Sequence, residues 1–451
     1  MNSIVSVVTD SLKTAHFFIH DSADIKKTFL YECLCHHFRA QTKIILCMIS
    51  TSIAAQLLFN ERTSHSRFKI SIVCHDTLIC FITACSELVN LLKCTILIIW
   101  NEISMQHKHN FMIINASLCD ILQFSDVFNE ISAILDENFA QITFVISQEN
   151  QSAQINVSIC SFWIWNHLTV LKLHRNMQIQ SSLNNQQFVE WIDCMSYDFD
   201  LYDVRSLSFM IINHYETSRS FIDHVYSLHD LAQAHTSSNF FRDRAILCSH
   251  NNFVNLLNQQ IMNDFFESAR LFMLIDMIEN NDVKKIENIS MKYLQTLELF
   301  EFFLSQMYFK IKTSIMLLCN LHLHERMCNN TQLIITYLHQ DCIEDCILKN
   351  EFDEDIQLIS RIKLISKKDD YSWVLSRKQF SIHLCFAMII NKLQEQSLSI
   401  VDINLSLFCF SHEQLYVALF KVTDVWRLLI LFHFFKNQCT DNVVYSEILL
   451  L

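Results

Sequence analysis

A chain of 451 residues without one glycine or proline must build every turn from residues that carry both a Cβ and an amide hydrogen. Average usage would supply about fifty of the two together. Glycine provides positive φ at tight turns and proline pre-sets turn geometry, so the usual punctuation of a fold is missing. No structural requirement explains that loss. Glycine codons begin GG and proline codons CC, so sustained G-to-A and C-to-T mutation would erase both and leave Asp, Glu, Asn, Ser, Lys, Leu and Phe. A deliberate redesign without Gly and Pro is the rival origin.

With turn signals absent, hydrophobic pattern carries the reading. Apolar residues make up 51% of the chain, enough for sizeable cores, and the length allows about two to four domains. Apolar runs at 15–19, 43–49, 94–100, 131–135 and 169–173 read as short buried strands. Helices are expected at Phe29–Phe38 and Ser52–Leu58. Repeated strand, polar loop and helix imply a parallel sheet with ligand groups at the carboxyl ends of its strands.

The loop after the first strand runs His20-Asp21-Ser22-Ala23-Asp24-Ile25-Lys26-Lys27-Thr28. Strand, short loop, Lys-Thr and helix is the build of a phosphate-binding loop, where Lys reaches the outer phosphates and the hydroxyl holds magnesium. Asp21 and Lys26 occupy the two glycine positions of that pattern, and Lys27-Thr28 also fits an ordinary helix start. The third strand ends in Asn101-Glu102, where a nucleotide-hydrolysing domain keeps a magnesium ligand and a carboxylate that polarises water. A plain strand end is the alternative. The fourth strand leads into Asp136-Glu137-Asn138-Phe139-Ala140-Gln141 as a polar loop.

In the second half, 243–248 followed by 251–258 reads as strand then helix, opening another α/β domain. Runs at 313–321, 331–338, 341–348 and 355–365 are β-rich and spaced like a small barrel, and 380–430 returns to the α/β pattern. The region 279–288 reads as a polar loop. A net charge of −13 argues against a surface generally coated by nucleic acid, while leaving a local basic channel open. Eighteen Cys at irregular spacing do not form a disulfide framework. Cys319, His322, His324, Cys328, Cys342 and Cys346 are zinc-ligand types at spacings that fit no standard finger. No apolar run is long enough for a membrane helix, and no targeting sequence is expected.

The order of six motifs then resembles one family. They are Lys27-Thr28-Phe29-Leu30-Tyr31; Ser52-Ile53-Ala54-Ala55 with Arg62-Thr63-Ser64-His65-Ser66-Arg67-Phe68; Phe139-Ala140-Gln141; Leu171-Lys172-Leu173-His174-Arg175-Asn176-Met177; Phe386-Ala387-Met388 with Ile390-Asn391-Lys392; and Gln414-Leu415-Tyr416-Val417-Ala418-Leu419. Together they look like the five-prime-to-three-prime DNA helicases named for petite integration frequency, in the branch carried by Helitron rolling-circle transposons. The resemblance extends from about Ile4 to about Phe432.

It implies an α/β fold of two RecA-like P-loop NTPase domains with parallel sheets and a small inserted β-barrel-like subdomain. The expected divisions are 1–180 for the first RecA-like domain, 181–312 with 376–451 for the second, and 313–375 for the insertion. It implies ATP and Mg²⁺ as cofactors, single-stranded or forked DNA as partner, a monomer, a nuclear location, and work in DNA repair, recombination and telomere maintenance. Residue by residue, the resemblance puts Ala23, Asp24, Lys26, Lys27, Thr28 and Gln394 around the nucleotide, and Thr28, Asn101 and Glu102 around the metal. Glu102 would activate water and Gln141 sense the terminal phosphate. Gln178 and Lys421 stand where the family has arginines. His65, Phe68, Asn391 and Lys392 would meet DNA, although a core role for Phe68 is equally open.

The departures from the family pattern are mostly single or double transitions. Gly becomes Asp, Glu, Asn or Lys, and Asp becomes Asn at Asn101 and Asn138. Carboxylates at Asp21 and Asp24 would repel phosphate, each by on the order of 4 kcal/mol at about 4 Å and an effective dielectric near 20. Poor ATP affinity and slow turnover are therefore expected. A catalytically dead transposon relic with at most DNA or partner binding is the alternative.

Overall fold

The computed structural model describes residues 1–9, 14–21, 27–50, 62–70, 80–83, 86–123, 127–138, 151–173, 188, 191–192, 195, 205–206, 218–233, 238–265, 267–279, 306–322, 325–348, 356–365, 374–393, 398–422, 427–432, 439–440 and 442–449. The chain divides into two compact units, Met1–Asn213 with Leu393–Ser397 and Leu405–Leu451, and His214–Lys392 with Leu398–Asn404.

The first unit begins with α1 (Asn2–Thr9), β1 (His16–Asp21), α2 (Lys27–Arg39), β2 (Ile44–Ile49), β3 (Arg62–Thr63) and α3 (Ser64–Phe68). It continues with α4 (Glu87–Lys93), β4 (Thr95–Asn101), α5 (Lys108–Leu122), β5 (Ser132–Glu137), α6 (Gln151–Val157), β6 (Leu168–Leu173) and the two-residue β7 (Arg205–Ser206). Six strands form one sheet in the order β3-β2-β4-β5-β1-β6, with every pair parallel. Successive side chains of a strand point to opposite faces. Phe17, Ile19, Ile45, Cys47, Leu97, Ile99 and Ile134 accordingly enter one core, and Phe18, Leu46, Met48, Ile98, Trp100 and Leu135 enter the other. Strands buried on both faces favour apolar residues at most positions, which is why the central strands read as nearly continuous runs. Helix α2 covers the first face with Tyr31, Leu34, Cys35 and Phe38, one stripe at helical spacing. Phe111 of α5 packs on Trp100 at a ring-centroid separation of 4.4 Å on the other face.

The strand ends differ from expectation by one or two residues, with one consequence. The fourth strand was expected at 131–135 with a polar loop after it. Instead β5 runs to Glu137, because Asp136 and Glu137 continue in register opposite Ile19 and His20 of β1. Both acids are wholly buried. The helix expected at Ser52–Leu58 lies outside the described residues.

The second unit contains α7 (Ser218–Val225), α8 (Leu228–Gln233), β8 (Arg244–Cys248) and α9 (Asn251–Asp264). Strand β8 is flanked in parallel by β19 (Ala387–Ile389) and β20 (Ile400–Leu405). Between β8 and β19 come antiparallel strands β9 (Arg270–Met273), β10 (Ile275–Glu279), β11 (Gln306–Phe309), β12 (Ser314–Leu317), β13 (Gln332–Leu338), β14 (Cys342–Ile347), β15 (Ile356–Ser360), β16 (Ile362–Ile365), β17 (Val374–Gln379) and β18 (Ile382–Leu384). They form sheets β15-β14-β13-β12-β18, β10-β17-β16 and β11-β9. The β-rich region thus reaches from Arg270 to Leu384, wider than the run at 313–375, because short strands on both sides complete its hydrogen-bond ladders. Phe272, Ile315, Leu333, Ile343, Ile359 and Phe380 form its core. The chain then returns to the first unit with α10 (Gln414–Phe420).

Turns without glycine are made by ordinary residues in the left-handed region. Nine described residues have positive φ, among them Lys69 and Gln123 at the ends of α3 and α5, where glycine is the usual choice. A residue with a Cβ spends about 1–2 kcal/mol to sit there. Asn330 alone among the nine is an asparagine or aspartate, the types that visit this region most readily.

Candidate nucleotide site and nucleic-acid groove

Lys27 is the first residue of α2, at the carboxyl edge of the parallel sheet. Its Nζ donates to Asp136 Oδ1 at 3.0 Å, and the two side chains are 9% and 0% exposed. Tyr31 lies one turn further along α2, on the same face as Lys27. Its hydroxyl donates to the other carboxylate oxygen, Asp136 Oδ2. Thr28 is half-buried beside them.

Glu137 accepts from Ser104 N at 2.5 Å through one oxygen and from Asn138 N at 2.9 Å through the other. Burial holds its proton well above the usual carboxylate range, the Glu102 charge adds to this, and Lys27 opposes it. His20, level with Glu137 across the sheet, has its pKa pushed down to about 4 by burial first and by Lys172 and Lys27 next. The carboxyl edge therefore carries one buried ion pair and a carboxyl group held toward its neutral form.

Asn101 ends β4 and is buried, with Oδ1 lacking a hydrogen-bond partner among the described residues. Glu102 follows at φ 56° and ψ 53°, a left-handed conformation that bends the chain away from the sheet at once. Its carbonyl accepts from Ser50 Oγ at the end of β2. Gln106 Nε2 donates to Ser50 O at 3.4 Å, and Asn110 Nδ2 donates to Gln106 Oε1 at 2.5 Å. His65 Nε2 lies 3.5 Å from Asn110 Nδ2, so a run of polar side chains links α3 to Glu102. Burial lowers the His65 pKa.

The structure brings together only some of the predicted residues. Lys27, Thr28, Asn101 and Glu102 all stand at the carboxyl edge of the first sheet. Phe68 is wholly buried in the core below β2 and β4, which corrects its reading as a stacking platform: a ring with no exposed face offers nothing to a base. Ala23, Asp24, Lys26, Gln141, Gln178 and Gln394 lie outside the described residues. Lys421 closes α10 within the first unit, buried, with its ammonium 5.6 Å from the Phe420 ring centre. In the same unit Asn138 Nδ2 donates to the Tyr416 hydroxyl at 3.4 Å.

Sequence reasoning missed Asp136, Glu137 and Tyr31. The acids were assigned to a loop because polar residues normally end a buried strand. The signal available was Tyr31, spaced four residues from Lys27 and therefore on its face of the helix.

In the second unit Lys392 lines a cavity of about 550 Å³ with Asn251, Asn255, His383 and Cys385. Burial lowers the Lys392 pKa, and Cys385 partly opposes this. His383 Nε2 is 3.0 Å from Asn255 Oδ1. The strand before Lys392 is held by Asn258 of α9. Its Oδ1 accepts from Phe386 N and Ala387 N at 3.0 and 2.8 Å, and its Nδ2 donates to Leu384 O and Ala387 O at 3.1 and 3.0 Å. Among the described residues no group of three His, Cys, Asp or Glu is placed to hold a metal ion, and no helix is long and apolar enough to cross a membrane.

A parallel sheet with a Lys-Thr helix start after its first strand and polar groups at the neighbouring strand ends is the arrangement on which P-loop domains are built. Residues 1–197 match the family model of the PIF1-like helicase. No curated protein matches the chain. The solved structure of Bacteroides Pif1 bound to ssDNA is similar at a TM-score of 0.64 and 17% identity, covering 97% of this chain and 92% of that one. Pif1 helicase from Candida albicans gives a TM-score of 0.61 at 15% identity, covering 100% and 98%. A third structure concerns forked dsDNA unwound by two coordinating Pif1 helicases, with a TM-score of 0.64 and 17% identity over 97% and 92%. At these identities the likeness is one of fold.

Proposed function

We propose that this chain is an ATP-dependent DNA helicase that moves five-prime to three-prime on single-stranded DNA, with weakened nucleotide binding. The observation that carries the reading is the family match over residues 1–197, on a fold that sets Lys27 and Thr28 beside the acidic strand ends. Bacteroides Pif1 is known in complex with ADP-AlF3 and ssDNA, which fits both ligands proposed here.

Bound ATP would supply the phosphoanhydride to be hydrolysed, and Mg²⁺ would neutralise its charge. The donors for the metal, Thr28, Asn101 and Glu102, are all oxygens, and the buried Asn101 Oδ1 has acceptor capacity to spare, which suits a hard cation. The neutral Asn101 amide would hold it less firmly than an aspartate. Lys27 would grip phosphate and Glu102 would orient water. Gln141, Gln178, Gln394, Lys421 and the loop residues Ala23, Asp24 and Lys26 complete the proposed nucleotide set. His65, Asn391 and Lys392 are the proposed DNA contacts. The two RecA-like domains with an inserted β subdomain, a monomer and a nuclear location belong to the same proposal.

The test is ATP hydrolysis by the purified chain with and without single-stranded DNA, next to a K27A control. Unwinding is then assayed on forks with only a five-prime or only a three-prime loading tail. Hydrolysis that DNA stimulates and K27A abolishes supports the reading. Hydrolysis indifferent to K27A refutes it.

A further inference from the structure

We infer that Asp136 is a positioning residue that captures Lys27 as an internal counter-ion, so that an incoming phosphate binds only by displacing a carboxylate already seated on that lysine. The inference rests on the nucleotide-site reading above. Three observations carry it. The Lys27 ammonium donates to Asp136 Oδ1 at 3.0 Å, with the carboxylate wholly buried and the lysine nearly so. The second oxygen of the same carboxylate is taken by the Tyr31 hydroxyl from the next turn of α2, so the group is held from both sides. Asp136 lies within β5, in register with Ile19 of β1, so its backbone is held by the strand pairing and is not free to move as a loop residue's would be.

A lysine that grips phosphate needs a positive charge open to an anion. Here the anion is supplied by the chain itself, one strand away, with its entropy of association already spent. A buried pair of this kind is strongly coupled: removing one partner strands the other charge, and a competing anion must offer as much as the carboxylate it replaces. Glu137 next to it is committed elsewhere, its two oxygens accepting from Ser104 N and Asn138 N. Asp136 is therefore the group whose removal should change anion affinity through Lys27.

The experiment measures binding of inorganic pyrophosphate and, separately, ADP by calorimetry to four forms of the full chain: unaltered, D136N, K27M and K27M/D136N. D136S is carried alongside as a smaller replacement, and circular dichroism establishes that each form is folded. D136N is expected to bind pyrophosphate about tenfold or more tightly than the unaltered chain, the equivalent of about 1.4 kcal/mol. In the K27M background the same substitution should give a much smaller gain, because the lysine it releases is absent. An equal gain in both backgrounds would mean plain charge repulsion and would overturn the capture. So would no gain in either D136N or D136S. A pyrophosphate gain that depends on Lys27, without any gain for ADP, would support the capture while refuting the nucleotide reading.

Discussion

Asp345 offers the sharpest test of how a buried acid loads this fold. It sits in β14, paired across from Ile335 and Gln357, is wholly buried, and neither carboxylate oxygen has a hydrogen-bond partner among the described residues. Burial, with the Glu344 charge adding to it, raises its pKa from 3.8 to about 8. The folded state thus keeps the proton that the unfolded chain gives up. Stability is full below pH 3.8 and is lost as pH rises through about 8, by about 1.4 kcal/mol per pH unit and about 6 kcal/mol in all. D345N removes the titration. It should match the unaltered chain near pH 4 and exceed it by about 4 kcal/mol at pH 7, less about 1–3 kcal/mol for an amide left short of partners. The readout is hydrogen exchange of the β13 and β14 amides from pH 4 to 8.5, which reports local opening where global unfolding of two units is not a single step. Equal pH slopes for both forms would refute the reasoning, as would a D345N deficit that is the same at every pH.

Three further outcomes are expected. Asp276 and Arg377 face each other across β10 and β17 with bonds of 2.8 and 3.1 Å, almost without exposure, so D276N should cost about 3–5 kcal/mol while D276L/R377M recovers most of it; chemical denaturation of the three variants checks this, and a harmless D276N would contradict it. N258A removes four bonds to the segment before Lys392 and should cost about 2–4 kcal/mol and lower single-stranded DNA affinity, an expectation that an unchanged melting temperature would defeat. K392M should weaken DNA binding alike for all sequences and reduce the salt slope of log K by about 0.7 if the lysine meets a phosphate; titrations at several salt concentrations decide it, and an unchanged slope removes Lys392 from the proposed DNA contacts.

Much of this architecture was legible in the chain. The apolar runs that became β1, β2, β4 and β5 needed no glycine or proline to be seen, because strands covered on both faces are apolar at most positions, while β6 at the sheet edge stays half-exposed. Asn101 and Glu102 could be placed at a strand end for the same reason, and Lys27 and Thr28 at the start of the helix after the first strand: where the apolar run stops, the ligand edge of a parallel sheet begins. Phe68 could not be assigned, since one aromatic residue serves a core or a base stack equally well and only its neighbours decide.

The residues alone thus carried the α/β class and the likeness to the PIF1-like helicase model over residues 1–197, because these follow from hydrophobic period and from the order of short motifs along the chain. Only the tertiary structure decided what Lys27 touches. Its partner, Asp136, is 109 positions away and was assigned to a loop until register with β1 drew it into the sheet. Side-chain pairing across strands depends on register, and register depends on the ladder as a whole, which no local stretch of sequence contains.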